Sequence, residues 1–416
     1  MDMTRACRIA LIGNMNNSNF ALLRYLRDLG ADAYLFLYNN ELCHFLPQLD
    51  TTRWEKWRSY IHQLPVSNGG LDGMFGSLAG VNEALKGFDA FLGNGIAPVL
   101  FWRMKKRLDV FVPYGEGVEH IAEFVPNWKR PVSATFRWTR KKMMERALLT
   151  SVGEIVTANQ SPKATATYRR LGLDTVAMPI VVKYDDEALD EAELGDLARS
   201  AVERMRKASI AVFSQTQHRW LTQLGGAYPP GGKKNDWLVE GFARYVGLSG
   251  DDSAVLVLLE YGPDVDATKR LCAQLGIDEQ VVWLPAMRRL ELLAIARAAD
   301  VGADAFMSMI WGGTGWELIS LGKPILHQVG RPHDYNWPGM SLPAYFEVAG
   351  PDQIAQILLS HDRGSLARIG REVAEWHRQH QGIALARRYL SLLNGEEPEH
   401  RIAHGHRRVA DRGAAP

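Results

Sequence analysis

The chain has 416 residues, which is too many for a single hydrophobic core and favours two or three domains. Its 48 basic residues nearly balance its 47 acidic residues, so no strong overall field would draw the protein to nucleic acid, and we expect no such partner. The three cysteines include no pair at zinc-site or redox spacing, which argues against a disulfide framework.

The first residues lack the long apolar segment of a secretory signal. The sequence also contains no run of roughly eighteen apolar residues, the length that a membrane-spanning helix requires. We therefore expect a cytoplasmic protein, either free or peripheral at the inner face of the membrane.

Along the first half of the chain, short apolar runs alternate with longer stretches of helical period, the rhythm of parallel α/β layers. An amphipathic helix is predicted at 20–29, after the first strand. We predict a first Rossmann-like domain over residues 1–184, with strands at 8–13, 33–37, 88–93, 108–113 and 154–158.

The strand and helix rhythm starts again after an acidic, helix-rich connector at 185–207. The fold class is therefore α/β, with two doubly wound sheets facing a central cleft, where ligands bind in this architecture. We expect helices at 366–395 to cross back to the first domain, and the tail at 396–416 to be disordered. The second Rossmann-like domain is predicted over 208–365, with strands at 209–213, 254–259, 280–284, 301–304 and 324–327.

The most specific segment is Trp311–Leu326, which reads WGGTGWELISLGKPIL. Its glycines allow backbone amides to approach a ligand, and the start of the following helix favours an anion. Glu317 lies in the first turn of that helix. A tight loop with a carboxylate that compensates the helix dipole explains the same residues equally well.

A pair of lysines, Lys233 and Lys234, precedes a predicted helix in the segment KKNDWLVEGFAR. A lysine at a helix start is unfavourable unless an anion is bound there, so a phosphate partner makes physical sense. A solvated lysine pair is the alternative interpretation. Upstream, Arg219 follows a predicted strand in the segment FSQTQHRW.

Both segments resemble the donor site of the retaining GT-B glycosyltransferases, the bacterial group 1 (family 4-type) enzymes that use nucleotide sugars. The likeness extends over about residues 208–330 and includes the order of strands and helices. It implies transfer of a sugar from a nucleotide-diphosphate donor with retention of configuration, without a metal or other cofactor.

The resemblance also implies roles for particular residues. Glu317 matches the glutamate that binds the ribose hydroxyls, and Lys233 matches the lysine that binds the diphosphate. Arg219 lies two residues beyond Gln217, which occupies the family's arginine position. The remaining donor-binding residues that it implies are Gly313, Thr314 and Gly315 around the phosphates, and Leu284 and Pro285 along the base.

One position departs from the family pattern. The family carries a further glutamate eight residues before the ribose-binding one, and this chain has Met309 there. Two alternatives to a glycosyltransferase therefore stay open. One is a nucleotide-sugar epimerase of the same fold, and the other is a non-catalytic protein that keeps the fold for binding.

Candidate acceptor residues come from loops that follow strands of the first domain. Gly13 and Asn14 occupy the first strand-helix turn, which faces the cleft in the family. Glu119 and His120 lie in the segment YGEGVEH after another strand. Solvated carboxylates and a loop histidine account for the second pair without any ligand. The expected acceptor is a glycan, a lipid-linked molecule or a small molecule.

Two further patterns are typical of sites for ligands other than a nucleotide sugar. Asp264 and Asp266 form an Asp-x-Asp pair, but they open a predicted helix, so we interpret them as capping residues and predict no metal site. The stretch Phe136–Met144 is basic and rich in aromatic residues. It is interpreted either as a solvated helix face or as a contact with anionic lipid headgroups or a lipid-diphosphate acceptor.

Overall fold

A computed structural model describes residues 7–113, 121–125, 129, 131–157, 162–185, 189, 191–222, 232–307, 311–328 and 341–404. The chain divides into two compact units. The first contains residues 1–184, 336–340 and 381–416, and the second contains residues 185–335 and 341–380.

The strands of both units are short and almost all parallel. In chain order they are β1 Arg8–Ile12, β2 Asp32–Leu37, β3 Ile61–Gln63, β4 Ala90–Gly93, β5 Leu108–Phe111, β6 Val152–Thr157, β7 Thr175–Ala177, β8 Ala211–Ser214, β9 Val255–Leu259, β10 Val281–Leu284, β11 Val301–Ala303, β12 Ile325–His327, β13 Phe346–Glu347 and β14 Arg401–Ile402.

The helices follow the strands as crossover connections. In chain order they are α1 Ser18–Asp28, α2 Pro47–Asp50, α3 Leu71–Phe75, α4 Ala79–Ala84, α5 Ala97–Arg103, α6 Pro131–Thr150, α7 Pro162–Leu171, α8 Asp196–Lys207, α9 Asn235–Ser249, α10 Val265–Leu275, α11 Arg289–Ala298, α12 Gly313–Ser320, α13 Pro351–Ser360, α14 Arg363–His380 and α15 Gly382–Leu393. Short 3₁₀ turns lie at 15–17, 43–45, 54–60, 121–123, 191–193 and 278–280.

The first unit contains a sheet in the order β14-β7-β6-β5-β4-β1-β2-β3, in which only β14 is antiparallel to its neighbour. The second unit contains a parallel sheet in the order β10-β9-β8-β11-β12-β13. Strand order reverses between β1 and β4 in one sheet and between β8 and β11 in the other. The doubly wound α/β class predicted from the sequence is therefore confirmed.

Continuous apolar runs form the central strands because helices cover both faces of a parallel sheet. In β1 the side chains from Ile9 to Ile12 are at most 1% exposed, and every residue of β9 is buried. Each unit has its own core, and among the described residues no helix is long and apolar enough to cross a membrane.

The structure divides two of the predicted segments. The connector predicted at 185–207 ends in α8, which packs against α11 as part of the second unit, because Ala198, Ala201, Val202 and Met205 recur at helical spacing and are buried. The helical segment predicted at 366–395 divides at Gly382, where φ is +57°. α14 packs on α12 in the second unit, and α15 packs on α1, β4 and β5 in the first.

The tail predicted to be disordered from residue 396 is partly ordered. β14 pairs with β7, and the guanidinium of Arg401 donates to both carboxylate oxygens of Glu154 at 2.9 and 3.0 Å. β14 pairs with the open edge of the sheet, and Arg401 forms a bidentate ion pair. The basic composition of the tail does not indicate either contact. Residues 405–416 lie outside the described part of the chain.

Candidate donor site at the edge of the second sheet

The sequence-derived candidates in the second unit lie at the carboxyl edge of the second sheet; they are Arg219, Lys233, Leu284, Pro285, Gly313, Thr314, Gly315 and Glu317. β8 and β11 end side by side at its switch point, and the Ser214 hydroxyl donates to the carbonyl of Ala303 at 3.0 Å. Open α/β sheets bind ligands in the crevice at this position. We call the loops and helix starts at this edge the donor edge, defined by residues 214–222, 232–235, 284–289, 304–306 and 311–317.

The loop after β8 is held by a buried carboxylate. Oδ2 of Asp264 accepts the backbone N–H groups of Trp220, Leu221 and Thr222 at 2.7, 2.8 and 2.9 Å. Burial acts to raise the pKa of Asp264, but hydrogen bonds from these residues outweigh burial and hold the pKa below its ordinary value. Residues 220–222 are therefore held in place before any ligand binds.

The sequence correctly places Asp264 at the start of a helix, but the prediction that its side chain caps that helix is wrong. Asp264 lies at the N-cap of α10, yet its side chain makes no cap hydrogen bond and holds the preceding loop instead. Asp266 lies in the first turn of the helix. Among the described residues, no group of three or more His, Cys, Asp or Glu side chains is arranged to hold a metal ion.

Backbone hydrogen bonds bring Lys233 and Arg219 together. The amide of Lys233 donates to the carbonyl of Arg219 at 2.6 Å, and its carbonyl accepts from the amide of Phe306 at 3.2 Å. At Gly232, φ is +56° and an added Cβ would lie 2.2 Å from the carbonyl oxygen of Arg219. A glycine is therefore required where the two segments meet, beside the end of β11.

Glu317 is held by two side chains that the sequence analysis did not identify. Its Oε1 accepts from Nε of Arg289 at 2.7 Å, and its Oε2 accepts from the amide of Gln215. The Glu317 and Arg289 side chains are 15% and 14% exposed. A largely buried carboxylate with one donor on each oxygen keeps a fixed orientation and still has lone pairs for further donors.

The glycine-rich loop before α12 is anchored from β11. Oδ2 of Asp304 accepts the amide of Gly312 at 2.7 Å. A Cβ at Gly315 would lie 2.3 Å from the Cβ of Trp311 and 2.6 Å from a carboxylate oxygen of Asp304. The motif therefore has a packing reason for Gly315, because no other residue fits between the loop and the strand end.

Several polar groups at the donor edge have no partner in the part of the chain that the structure describes. The side-chain atoms are Nε of Arg219, Oε1 of Gln215 and Oγ1 of Thr216, all buried. The N–H groups of 313–315, at the start of α12, also find no acceptor among these residues. Buried polar groups are normally hydrogen-bonded, so this concentration of donors and acceptors indicates a binding site.

Lys234 differs from its neighbour in conformation and partner. Its φ is +51°, and Nζ donates to Oε1 of Gln328 at 2.9 Å while lying 4.1 Å from the ring centre of Trp237. Burial lowers the pKa of Lys234, and the nearby Asp236 carboxylate opposes this shift. Lys234 is thus tied to the end of β12, whereas the backbone of Lys233 lies beside Arg219.

The segment expected along the base lies at the end of β10. Leu284 is buried, and its carbonyl accepts the amide of Glu260 at 2.7 Å, whereas Pro285 is exposed. The side chain of Tyr261, at the end of the neighbouring β9, is also exposed. Contact between this segment and a nucleoside base stays a prediction.

In the first unit, Asn14 is fully engaged inside the protein. Its Nδ2 donates to Asn17 Oδ1 at 2.8 Å and to the carbonyl of Phe45 at 2.5 Å, and its Oδ1 accepts the amide of Phe20 at 2.9 Å. Its backbone amide donates to Oε1 of Glu41 at 2.9 Å. The side chain therefore shapes the turn after β1 and does not present a free group to an acceptor.

Gly13 is also buried, with φ of +78°. The other sequence-derived candidates, Glu119 and His120, lie outside the described residues, as does Met309. Their roles stay predictions from the sequence.

Sequence reasoning missed Gln215, Arg289 and Asp304. Gln215 and Asp304 are the residues that directly follow β8 and β11, and polar residues after parallel strands are a usable signal for a site. Arg289 is the first residue of α11, where an arginine is ordinarily unfavourable. A basic residue at a helix start is the same pattern that indicated Lys233.

Comparison with known proteins reveals similarity in structure only. No protein-family description matches the sequence, and no curated protein matches it. Among solved structures, WaaG, a glycosyltransferase involved in lipopolysaccharide biosynthesis, aligns over 93% of this chain and 100% of its own, with 14% identity and a TM-score of 0.51. Sucrose-phosphate synthase from Thermosynechococcus elongatus aligns over 94% and 98%, with 14% identity and a TM-score of 0.55.

A UDP-GlcNAc 2-epimerase from Methanocaldococcus jannaschii is similar to the same degree. It aligns over 93% of this chain and 99% of its own, with 12% identity and a TM-score of 0.51. The chain has the two-domain, Rossmann-like GT-B fold. At these identities the likeness extends to the fold and not to a particular reaction.

Proposed function

We propose that the protein is a glycosyltransferase that moves a sugar from a nucleotide-diphosphate donor to an acceptor. The observation that carries this proposal is the donor edge, where a fixed carboxylate, basic residues and buried groups without partners among the described residues lie together. The sequence motifs at Lys233 and Glu317 belong to this same edge. The GT-B fold, which the chain has in common with the glycosyltransferase WaaG and with sucrose-phosphate synthase, supports the assignment.

In the proposed complex, Glu317 accepts hydrogen bonds from the ribose hydroxyls. Arg289 and Gln215 keep the carboxylate oriented, so no reorganisation is needed when the nucleotide binds. The diphosphate lies against Lys233, Arg219 and the amides at 313–315, which supply positive charge and hydrogen-bond donors.

The reaction breaks the bond between the anomeric carbon and the oxygen of the donor β-phosphate, and the electron pair leaves with the diphosphate. The acceptor hydroxyl oxygen forms the new bond to carbon and gives up its proton to an oxygen of the departing diphosphate. Fixed positive groups stabilise the leaving diphosphate more strongly as its charge develops, and such preorganised stabilisation is a large term in catalysis. Retention of configuration and independence of a metal are further parts of the proposal, as is a glycan, lipid-linked or small-molecule acceptor.

The second candidate is a nucleotide-sugar epimerase, which is supported by the equal similarity to a UDP-GlcNAc 2-epimerase. An epimerase needs no acceptor, so the two activities differ in one measurable respect. Nucleotide sugars that raise the melting temperature should be incubated with the protein alone and with candidate acceptors. Glycosylated product formed only with an acceptor supports a transferase, and an epimerised sugar without one supports the second candidate.

Paired lysine variants test the proposed diphosphate contact. We expect Lys233→Ala to reduce transfer by tenfold or more, the order of effect of losing one charged contact to the leaving group. Lys234→Ala should have a smaller effect because its ammonium is tied to Gln328. Equal activity of wild type and Lys233→Ala would contradict the assignment, and melting temperatures provide the folding control.

A non-catalytic binding protein is the remaining alternative, because Met309 replaces a family glutamate. Binding of a nucleotide sugar with neither transfer nor epimerisation across a broad acceptor panel would favour it. The Met309→Glu variant then distinguishes a lost catalytic group from a site that never supported transfer.

A further inference from the structure

An apolar surface on the first unit has no role in the proposed donor site. It is formed by the exposed face of α6 and by α3. Val132 and Phe136 on α6 are 85% and 39% exposed, and Leu71 and Phe75 on α3 are 63% and 51% exposed. The rings of Phe75 and Phe136 lie 6.4 Å apart, and these two residues line one groove with Val132. We call these four residues the apolar patch.

The apolar patch results from the pattern of α6, whose apolar residues lie on two faces. Ala134, Met144 and Leu148 are buried against the first unit. Val132 and Phe136, four residues apart, lie on the opposite face and stay in contact with solvent. Contiguous exposed apolar side chains on a protein surface often mark an interaction site.

Charge on the same helix identifies the partner. α6 carries five basic residues and one acidic residue, and that acid, Glu145, is buried beside Lys142 and Arg170. Arg137 and Arg146 are exposed. Trp138, 42% exposed, adds an aromatic ring of the kind that favours the boundary between water and lipid.

Two neighbouring groups hold this arrangement in place. The guanidinium of Arg140 lies 5.6 Å from the ring centre of Phe136 and donates to the carbonyl of Gly69 at 3.0 Å. On α3, the carboxylate of Asp72 accepts the amide of Ser67 at 2.8 Å. Along α3 and α6 together, Asp72 and Glu145 are two acidic residues against five basic residues, so the balance of charge on the two helices is positive.

We propose that the apolar patch and the basic residues of α6 dock the first unit on an anionic lipid surface. Val132, Phe136 and Phe75 enter the headgroup boundary, while Arg137 and Arg146 pair with lipid phosphates. A single apolar patch or a few charges bind a bilayer weakly, but the two together give a stable peripheral contact. The proposal is independent of the donor edge, because it requires neither nucleotide nor acceptor.

Vesicle sedimentation with the full-length protein tests the docking. The probe is vesicles of phosphatidylcholine alone or with one quarter phosphatidylglycerol, which contain no glycosyl acceptor. We expect the wild type to bind the anionic vesicles at least tenfold more tightly, and to lose most of this preference at high salt.

Two double variants separate the two contributions. Val132→Ser with Phe136→Ser should weaken binding to anionic vesicles at least tenfold, and so should Arg137→Glu with Arg146→Glu. The matched control, Leu248→Ser with Lys207→Glu, changes an exposed apolar and an exposed basic residue of the second unit and should bind like wild type.

Absence of wild-type binding to anionic vesicles would overturn the proposal and direct attention to a protein partner for the patch. Equal losses in the control and the patch variants would overturn it as well. Nucleotide affinity measured on the same samples is expected to be unchanged, so failure of docking and failure of the proposed function are distinguishable.

Discussion

The two sheets of this protein have different carboxyl edges, although both belong to doubly wound units. At the edge of the first sheet, Asn14 satisfies its side-chain groups internally, and the amide of Asn19 donates to the carbonyl of Gly13 at 2.8 Å. At the edge of the second sheet, Arg219, Gln215 and Thr216 keep buried polar atoms without partners in the described chain. In the described part of the chain, the turn after β1 is closed by its own hydrogen bonds, and the second edge has hydrogen-bonding capacity left over.

The difference indicates that the second unit is the one that binds a polar ligand tightly. A group that already has its partners would have to break them before binding, whereas an unsatisfied buried group gains a hydrogen bond at little reorganisation cost. A change at the first edge should therefore affect stability and leave nucleotide affinity alone. A change at the second should affect affinity most.

The largest effect is expected at Gly13 in the first unit. Its φ is +78°, and an added Cβ would lie 2.0 Å from Oδ1 of Asn94 and 2.7 Å from the ring of Tyr38. Gly13→Ala should lower the free energy of unfolding by roughly 2–5 kcal/mol, from left-handed backbone strain and overpacking together. Urea unfolding measures this loss.

Gly30→Ala is the matched control for that variant. Gly30 has φ of +80° with nothing within 4 Å of an added Cβ, so its substitution isolates the backbone term of about 1–2 kcal/mol. Equal losses in the two variants would show that contacts of the added Cβ with Asn94 and Tyr38 do not contribute to the loss in Gly13→Ala.

A pH-dependent loss of stability is expected from His218 in the loop after β8. Burial lowers the pKa of this histidine to about 4, while the Leu259 carbonyl and the Asp264 carboxylate oppose the shift. The unfolded chain takes up the proton near the ordinary value of 6.5, so protonation favours unfolding. Stability should be complete above pH 6.5 and should fall by up to about 3 kcal/mol toward pH 4.

The pH effect is measured by comparing wild type with His218→Gln. The difference between their unfolding free energies should change between pH 7 and pH 4.5, with the wild type losing more. If the unfolding free energies of wild type and His218→Gln change with pH by the same amount, His218 titrates normally and the loop around it is open to water.

The sequence was sufficient for the fold class because hydrophobic periodicity identifies strands that are buried on both faces. The long central strands, such as Arg8–Ile12 and Val255–Leu259, were predicted within a residue or two. Short edge strands were missed, among them Ile61–Gln63 and Arg401–Ile402. Two or three residues carry too little periodicity, and pairing with a neighbouring strand determines whether they are extended.

The candidate site was only partly predictable, for a similar reason. A residue such as Glu317 lies within a local motif and can be found from its neighbours in the sequence. Gln215 and Arg289 act on it from 102 and 28 residues away, and only the fold brings them into contact. Asn14, in contrast, is a polar residue in a strand-helix turn, as a binding residue would be, and only its hydrogen bonds reveal a structural role.

The smallest of these effects, and the most specific to the second edge, concerns Glu317. Glu317→Ala should weaken binding of the nucleoside diphosphate that best stabilises the wild type by about 1–3 kcal/mol, the cost of losing hydrogen bonds to a charged group. Arg289→Ala should weaken it less, because the carboxylate remains but loses its fixed orientation. Isothermal titration on both variants and on the double variant yields their coupling, expected at about 0.5–3 kcal/mol for residues in direct contact. Glu240→Ala, in a surface pair with Arg244, should bind like wild type. Unchanged affinity in Glu317→Ala would remove this residue from the site and would make the two sheet edges equivalent for nucleotide binding.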